Sequence, residues 1–244
     1  MVYAYSLRTP YSVRSWRAVV NDDRKFMTLG EMAEYLRVAR KSLLRMAEKG
    51  DIPATKVASQ WQFMRTMVDD WLITRMKDLS NRELELLIES EKLPVPLSAL
   101  LRPELVQLDL EDLGTENILE TLSGMLVRRG LLADSHAFVV KLVEREEMVS
   151  TAIFPGIAIP HVRKPEQCPV SEPRIVVGVS PEGVDFNSLD GQPTYLFCLI
   201  CANRVILHLK IIAELALIFR RPHLIENLRK ASHPDQVVQI LLYN

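Results

Sequence analysis

Thr28 stands three residues ahead of Glu31 at the head of a run in which Met32, Ala33 and Leu36 share one helical face, a capping box opening an amphipathic helix. A second helical face follows at Leu43, Leu44, Met46 and Ala47. Gly50 is placed to end it in the left-handed C′ position, with Pro53 beyond. Residues 55–58 and 61–63 read as two short strands around Ser59-Gln60, a hairpin, and residues 67–72 open a further helix. Upstream, Tyr3, Tyr5, Tyr11 and Trp16 are scattered among Arg and Ser without a period, so residues 1–25 are expected to form an irregular arm.

Residues 73–95 are dominated by charge, with Leu84, Leu86 and Leu87 as interruptions. Too few heptads are present for a coiled coil, and 76–95 are expected to be a solvated helical connector. Pro94 and Pro96 mark a boundary. Beyond it, helices are predicted at 117–127, where Ile118, Leu119, Leu122 and Leu126 share a side, and at 135–147, with Ser135 as N-cap. Apolar runs at 157–159, 174–179 and 194–201 read as strands, the last two as buried ones. Helices at 205–219 and 234–242 close the chain. Mixed helices and strands over 96–244 predict an α/β or α+β domain, preceded by a small module at 26–75.

With 244 residues, 48% hydrophobic and 25% charged, the chain has the balance of a globular protein of one large or two smaller domains. A net charge of −1 excludes a global basic field, so any nucleic-acid contact must be local. The longest apolar stretch falls far short of the roughly 20 residues that span a bilayer, and the first residues lack the apolar block of a signal peptide. The expectation is a cytoplasmic location without membrane insertion. Cys198 and Cys201 form C-x-x-C inside a buried strand pattern, and Cys168 is a third thiol. Without a second ligand pair these read as core thiols, and neither a metal nor a cofactor is expected.

The segment Gly156-Ile157-Ala158-Ile159-Pro160-His161 carries the candidate chemistry. Gly156 permits a turn, the apolar triplet buries a short strand, and Pro160 ends the ladder while stiffening the backbone before His161. A neutral imidazole nitrogen is a competent phosphoryl acceptor near pH 7. On these residues alone an ordinary loop histidine is the stronger reading. Arg145 offers a guanidinium fork suited to phosphate oxygens, and His208 lies early in an apolar helix. Each has a plain alternative, a surface ion pair and a helix-surface histidine.

Residues 96–244 resemble the type-2 enzyme IIA domains of the bacterial phosphoenolpyruvate-dependent phosphotransferase system, the fructose, mannitol and nitrogen-regulatory group. The resemblance rests on Leu-Val-Glu-Arg-Glu-Glu at 142–147, Ser-Thr at 150–151, Gly-Ile-Ala-Ile-Pro-His at 156–161 and His-Leu-Lys-Ile-Ile-Ala-Glu-Leu-Ala at 208–216, in the family's order. It implies a mixed sheet flanked by helices on both faces. It also implies that His161 is phosphorylated through Nε2 by a histidine phosphocarrier protein, that Arg145 steadies the phosphoryl group, and that His208 is the second active-site histidine. Two departures are expected to crowd His161: bulky Val162 follows it where the family has a small residue, and Phe154-Pro155 stand where the family has a glycine turn. Arg163 could add positive charge near a phosphate, with a surface role the stronger reading.

Residues 27–72 resemble the excisionase-like and MerR-type winged helix-turn-helix modules, through Met-Thr-Leu-Gly-Glu-Met-Ala-Glu-Tyr-Leu, Arg-Lys-Ser-Leu-Leu-Arg-Met-Ala-Glu-Lys-Gly-Asp-Ile-Pro-Ala and Lys-Val-Ala-Ser-Gln-Trp-Gln-Phe. The resemblance implies DNA contact by Arg40, Lys41, Ser42 and Arg45 on the second helix, with Lys56 and Gln60 on or near the wing. Arg37 replaces the usual turn glycine, and Ala58-Ser59-Gln60 replaces the wing's glycine and basic residues. Seven cations face six anions over 28–72, a thin surplus for phosphate-driven binding. The expected function is a regulatory phosphocarrier, a phosphotransferase component rather than a stand-alone enzyme, acting on DNA or a regulatory protein through the N-terminal module. The alternatives are a transport-type enzyme IIA serving a sugar-specific enzyme IIB, and a DNA-binding protein with an unphosphorylated scaffold domain.

Overall fold

The computed structural model describes residues 26–36, 38–89, 96–111 and 114–243; the arm read for 1–25 and the turn residue Arg37 lie outside them. The chain divides into two compact units between Leu72 and Ile73.

In the first unit the Thr28 capping box forms as expected. Its Oγ1 accepts from the Glu31 N–H at 3.3 Å, and its own N–H donates to Glu31 Oε2 at 2.8 Å. It opens α1 (Leu29–Tyr35). Helix α2 (Arg40–Lys49) ends at Gly50, whose φ of +74° is the left-handed conformation a C′ glycine adopts without strain. The wing is larger than a hairpin. β1 (Phe26–Thr28), β2 (Thr55–Val57) and β3 (Gln60–Met64) form an antiparallel sheet in the order β1-β3-β2, with Phe26 opposite Met64 and Thr55 opposite Gln62. Met32, Ala33, Leu43, Ala47, Ile52, Phe63 and Val68 make the core, the last from α3 (Arg65–Arg75).

The second unit is built on a four-stranded mixed sheet in the order β4-β6-β7-β5, from β4 (Leu101–Gln107), β5 (Ile157–Ala158), β6 (Arg174–Val184) and β7 (Thr194–Cys201). β6 and β7 run antiparallel, while β4 lies parallel to β6 and β5 parallel to β7. The two central strands are buried on both faces, hence their unbroken apolar runs. On one face Val176, Phe197, Leu199 and Cys201 pack with Ile118, Leu119 and Leu122 of α6 (Thr115–Arg128) and with Phe138, Val139 and Leu142 of α7 (His136–Met148). Gly178 admits this approach: a Cβ there would lie 2.3 Å from Leu110 Cδ1. Helices α8 (Val205–Ile218), α9 (Leu224–Arg229) and α10 (Pro234–Tyr243) pack against β7, β6 and β4. Four-residue α5 (Leu97–Leu100) leads into β4.

Two expectations change. Ser135 occupies the N-cap position of α7 but makes no side-chain cap bond; Asp134 Oδ1 accepts from the His136 N–H at 3.1 Å instead. The segment read as a solvated connector carries α4 (Asn81–Glu89), which packs on α8 with Leu84 fully buried. Arg220, just past the end of α8, reinforces that packing. Its guanidinium donates to the carbonyls of Met76 (3.1 Å), Lys77 (3.3 Å) and Leu79, and to Asn81 Oδ1 (2.6 Å). The exposed charges of this stretch mask a buried edge.

Candidate functional site

His161 stands just beyond β5, after Ile159 and Pro160. Gly156, at φ +70°, turns the chain so that its carbonyl accepts from the N–H groups of Tyr195 (2.8 Å) and Leu196 (3.1 Å), which sets β5 in register beside β7. The Ile200 N–H donates to the Pro160 carbonyl at 2.9 Å, and His161 pairs with Ile200 in an isolated parallel bridge. β7 therefore holds the histidine's backbone along one edge.

Its side chain is 2% exposed. Nδ1 lies 2.7 Å from the Ile159 carbonyl, which can only accept, so Nδ1 carries the proton. Nε2 then bears the lone pair, and it makes no hydrogen bond among the described residues. The His208 ring, from the first turn of α8, lies 4.9 Å away with its plane inclined at 56°. Arg145, in the last turn of α7 and 4% exposed, donates from Nη1 to the Val149 carbonyl at 2.7 Å. Burial, then the Arg145 guanidinium and His208, hold His161 well below the usual imidazole range. Burial and then Arg145 bring His208 down to about 3. Both imidazoles are neutral at pH 7, which leaves Nε2 nucleophilic beside a fixed positive charge.

The structure thus brings together the three residues proposed from the sequence, His161, Arg145 and His208. The two expected obstructions are elsewhere. The Val162 side chain belongs to the core cluster with Val139 and Leu142. The glycine turn is supplied one residue later than Phe154-Pro155, by Gly156, while Phe154 packs edge-on against Phe219 with centroids 5.2 Å apart. Arg163 is half-buried rather than at the surface.

Sequence reasoning passed over Glu146 and Thr151, both buried behind the histidine. Glu146 accepts from Ser150 Oγ (2.7 Å), the Thr151 N–H (2.8 Å) and Thr151 Oγ1 (2.7 Å). Burial nonetheless pushes its carboxyl above the ordinary glutamate value. The signal was present as a carboxylate four and five residues ahead of a Ser-Thr pair at a helix end.

In the first unit Arg40, Lys41, Ser42 and Arg45 are exposed on α2, opposite buried Leu43 and Ala47. The Arg40 guanidinium lies over Gly30, where a Cβ would meet Nη2 at 2.8 Å. Lys56 is exposed with its ammonium 5.2 Å from the Trp61 ring centroid, and Gln60 opens β3. Cys168, Cys198 and Cys201 are free thiols in the interior. Among the described residues no cluster of His, Cys, Asp or Glu could hold a metal, and no helix is long and apolar enough to cross a membrane.

A mixed α/β sheet flanked by helices, with a buried histidine pair at the end of its shortest strand, defines the class of domain. Residues 99–244 match the family described as "Phosphoenolpyruvate-dependent sugar phosphotransferase system, EIIA 2", and residues 26–76 match a helix-turn-helix domain family. The chain belongs to the EIIA type-2 family, with a helix-turn-helix domain ahead of the EIIA domain. It is 32% identical over 147 residues to the fructose-specific EIIABC component of Bacillus subtilis, a match covering 59% of this chain but only 23% of that protein. It is 29% identical over 130 residues to the nitrogen regulatory protein of Pseudomonas aeruginosa, covering 52% of this chain and 82% of the relative. The crystal structure of nitrogen regulatory protein IIA-Ntr from Neisseria meningitidis superposes with a TM-score of 0.52 at 28% identity, over 59% of this chain and 97% of that one.

Proposed function

We propose that this protein is a regulatory phosphocarrier in which His161 Nε2 accepts a phosphoryl group from the phosphohistidine of a histidine phosphocarrier protein. The observation that carries the reading is the 2.7 Å contact between His161 Nδ1 and the Ile159 carbonyl, which leaves the lone pair on Nε2. In the transfer, Nε2 forms a bond to phosphorus as the donor's P–N bond breaks, and the donor imidazole leaves with that electron pair. The Nδ1 proton stays in place, so the product ring is a phosphorylated imidazole whose charge the Ile159 carbonyl stabilises. Arg145 neutralises oxygens of the transferring group, and neutral His208 offers a ring nitrogen beside it. Because Nε2 is buried, side chains around the ring move aside as the donor docks.

Regulation is favoured by the fused helix-turn-helix domain and by the nitrogen regulatory relatives. In this reading Arg40, Lys41, Ser42, Arg45 and Lys56 engage DNA, or the module engages a regulatory protein, in the cytoplasm. A phosphoryl group adds a charge of roughly −1.5 to −2, enough to bias such contacts.

The test is label transfer from phosphoenolpyruvate through purified enzyme I and the phosphocarrier, on wild type and His161→Ala. Label on wild type that disappears in the variant is expected. No label on wild type, with the donors shown active on another acceptor, sinks the phosphocarrier and leaves a DNA-binding protein with a scaffold domain. The fructose- and mannitol-specific relatives favour a second reading, a transport-type EIIA that passes phosphate to a sugar-specific enzyme IIB. Onward transfer from phosphorylated protein to such a partner would establish it.

A further inference from the structure

Two consecutive residues at the C-terminal end of α7 serve different ends of one site. Arg145 turns towards the histidines; Glu146 is 6% exposed and turns into the loop that follows. Its two oxygens take the Ser150 hydroxyl and both the N–H and the hydroxyl of Thr151. The Thr151 carbonyl in turn accepts from the N–H groups of Ile153 (3.0 Å) and Ile159 (3.1 Å). The carbonyl of Ile159 is the group that takes the His161 Nδ1 proton. An unbroken path of hydrogen bonds and single residues therefore runs from the Glu146 carboxylate through Thr151 and Ile159 to the imidazole.

We propose that Glu146 is a positioning residue which, through Thr151 and Ile159, fixes the tautomer and ring orientation of His161. The proposal rests on the reading of His161 as the phosphoryl acceptor. A free neutral imidazole prefers its proton on Nε2, the nitrogen that must here stay bare; an acceptor held at Nδ1 reverses that preference. The Ile159 peptide lies just beyond the paired residues of β5, and its N–H is held by Thr151 rather than by a neighbouring strand. β7 holds the residues on either side of Ile159, while the contact to the Ile159 N–H itself comes from the loop, and the loop is pinned by a carboxylate. Burying a carboxylate is costly, and a loop that needed only to be folded could be held by a neutral side chain of the same size. Three short hydrogen bonds gathered on one carboxyl group hold the loop at three points at once.

The experiment compares full-length wild type, Glu146→Gln, Glu146→Ala and Thr151→Val with 15N-labelled histidine, reading the His161 tautomer by NMR and phosphate uptake by label transfer. Wild type is expected to hold the Nδ1–H form. Thr151→Val, which removes one hydroxyl and keeps the side chain's shape, and Glu146→Ala are expected to move His161 towards the Nε2–H form. The same variants should slow uptake about tenfold, the size of one lost hydrogen bond, with the KM for the phosphocarrier unchanged. Glu146→Gln, which can still accept from the Thr151 N–H, should recover most of the rate. A merely structural role would lower stability without moving the tautomer. A folded variant with the wild-type tautomer and rate overturns the proposal, as does a wild type already in the Nε2–H form. Should Glu146→Ala fail to fold, Thr151→Val decides. Wild type that takes no label overturns the phosphocarrier reading alone, since the tautomer comparison still tests the path.

Discussion

The rings of His161 and His208 lie 4.9 Å apart, one just beyond β5 and the other in the first turn of α8, and both are withdrawn from solvent. Two imidazoles in that position resist protonation. In the unfolded chain each titrates near 6.5, whereas in the fold His208 is held down to about 3 and His161 well below its ordinary value. Between 6.5 and the folded values the unfolded state binds more protons, so stability is full above that window and falls as pH drops through it. The slope approaches about 1.4 kcal/mol per pH unit for each histidine. Glu146 works the other way: its raised pKa gives stability that is fully present below 4.5 and lost as pH rises, which blunts the fall. Urea midpoints taken from pH 7.5 to 5 should decline for wild type and decline less for His161→Asn combined with His208→Asn. Equal slopes would show that the two histidines are not what the acid attacks.

Gly156 couples backbone conformation to the site. At φ +70° any other residue bears roughly 1–2 kcal/mol of strain, and a Cβ would stand 3.1 Å from Tyr195 Cδ2. Gly156→Ala should lower the melting temperature and slow phosphate uptake. Gly191→Ala, at φ +69° with nothing within 4 Å, should bear the strain with uptake unchanged. Equal uptake rates in the two variants would separate the turn from the chemistry.

The wing turn is built against its own residues. Ala58 and Ser59 hold φ values of +46° and +66°, a pair of positive angles that a two-residue hairpin turn fills best with Asn-Gly. Replacing them with that pair should stabilise the first unit by about 1–2 kcal/mol. Urea unfolding followed through tryptophan fluorescence, to which Trp61 and Trp71 of that unit contribute, would measure it. A loss of stability would mean that Ala58 or Ser59 makes contacts worth more than the strain.

Arg220 gathers three carbonyls and one amide oxygen, a geometry that only a planar fork supplies. Arg220→Ala should destabilise the second unit by about 1.5–3 kcal/mol, and Arg220→Lys should recover only part of it. The amides of Leu84 and of Ile88 should then exchange faster with solvent deuterium. Unchanged exchange would mean that α4 is held by apolar packing alone.

The long periodic segments of the fold were legible from the sequence, because Ile118, Leu119, Leu122 and Leu126, or the unbroken run from Thr194, leave little alternative. The misses share a cause. β1 has three residues and no period to detect, and β4 is an edge strand interrupted by Pro103 between Arg102 and Glu104. In α4 the eye follows the charges, while Leu84 and half-buried Ile88, one turn apart, make the stripe that packs. For the site, His161 was legible as a stiffened histidine after a short strand. Its company was not: Arg145 and His208 come from distant segments, and spacing says nothing about a 4.9 Å ring contact, so only the resemblance joined them. Glu146 stayed hidden because its partners, one backbone N–H and two hydroxyls, leave no pattern of residue types beyond a Ser-Thr pair.

The Arg220 grip also bears on where the second unit can be cut. The matched family region starts at residue 99, but the compact unit starts at Ile73, and the difference contains α4 and every acceptor of the Arg220 guanidinium. A fragment trimmed to the family boundary would strip a packed helix from α8, the helix that carries His208, and leave a cation without its acceptors. Sluggish phosphate uptake by such a fragment would report the knife rather than the site, and a fair comparison with free-standing relatives keeps every residue from Met76 onward.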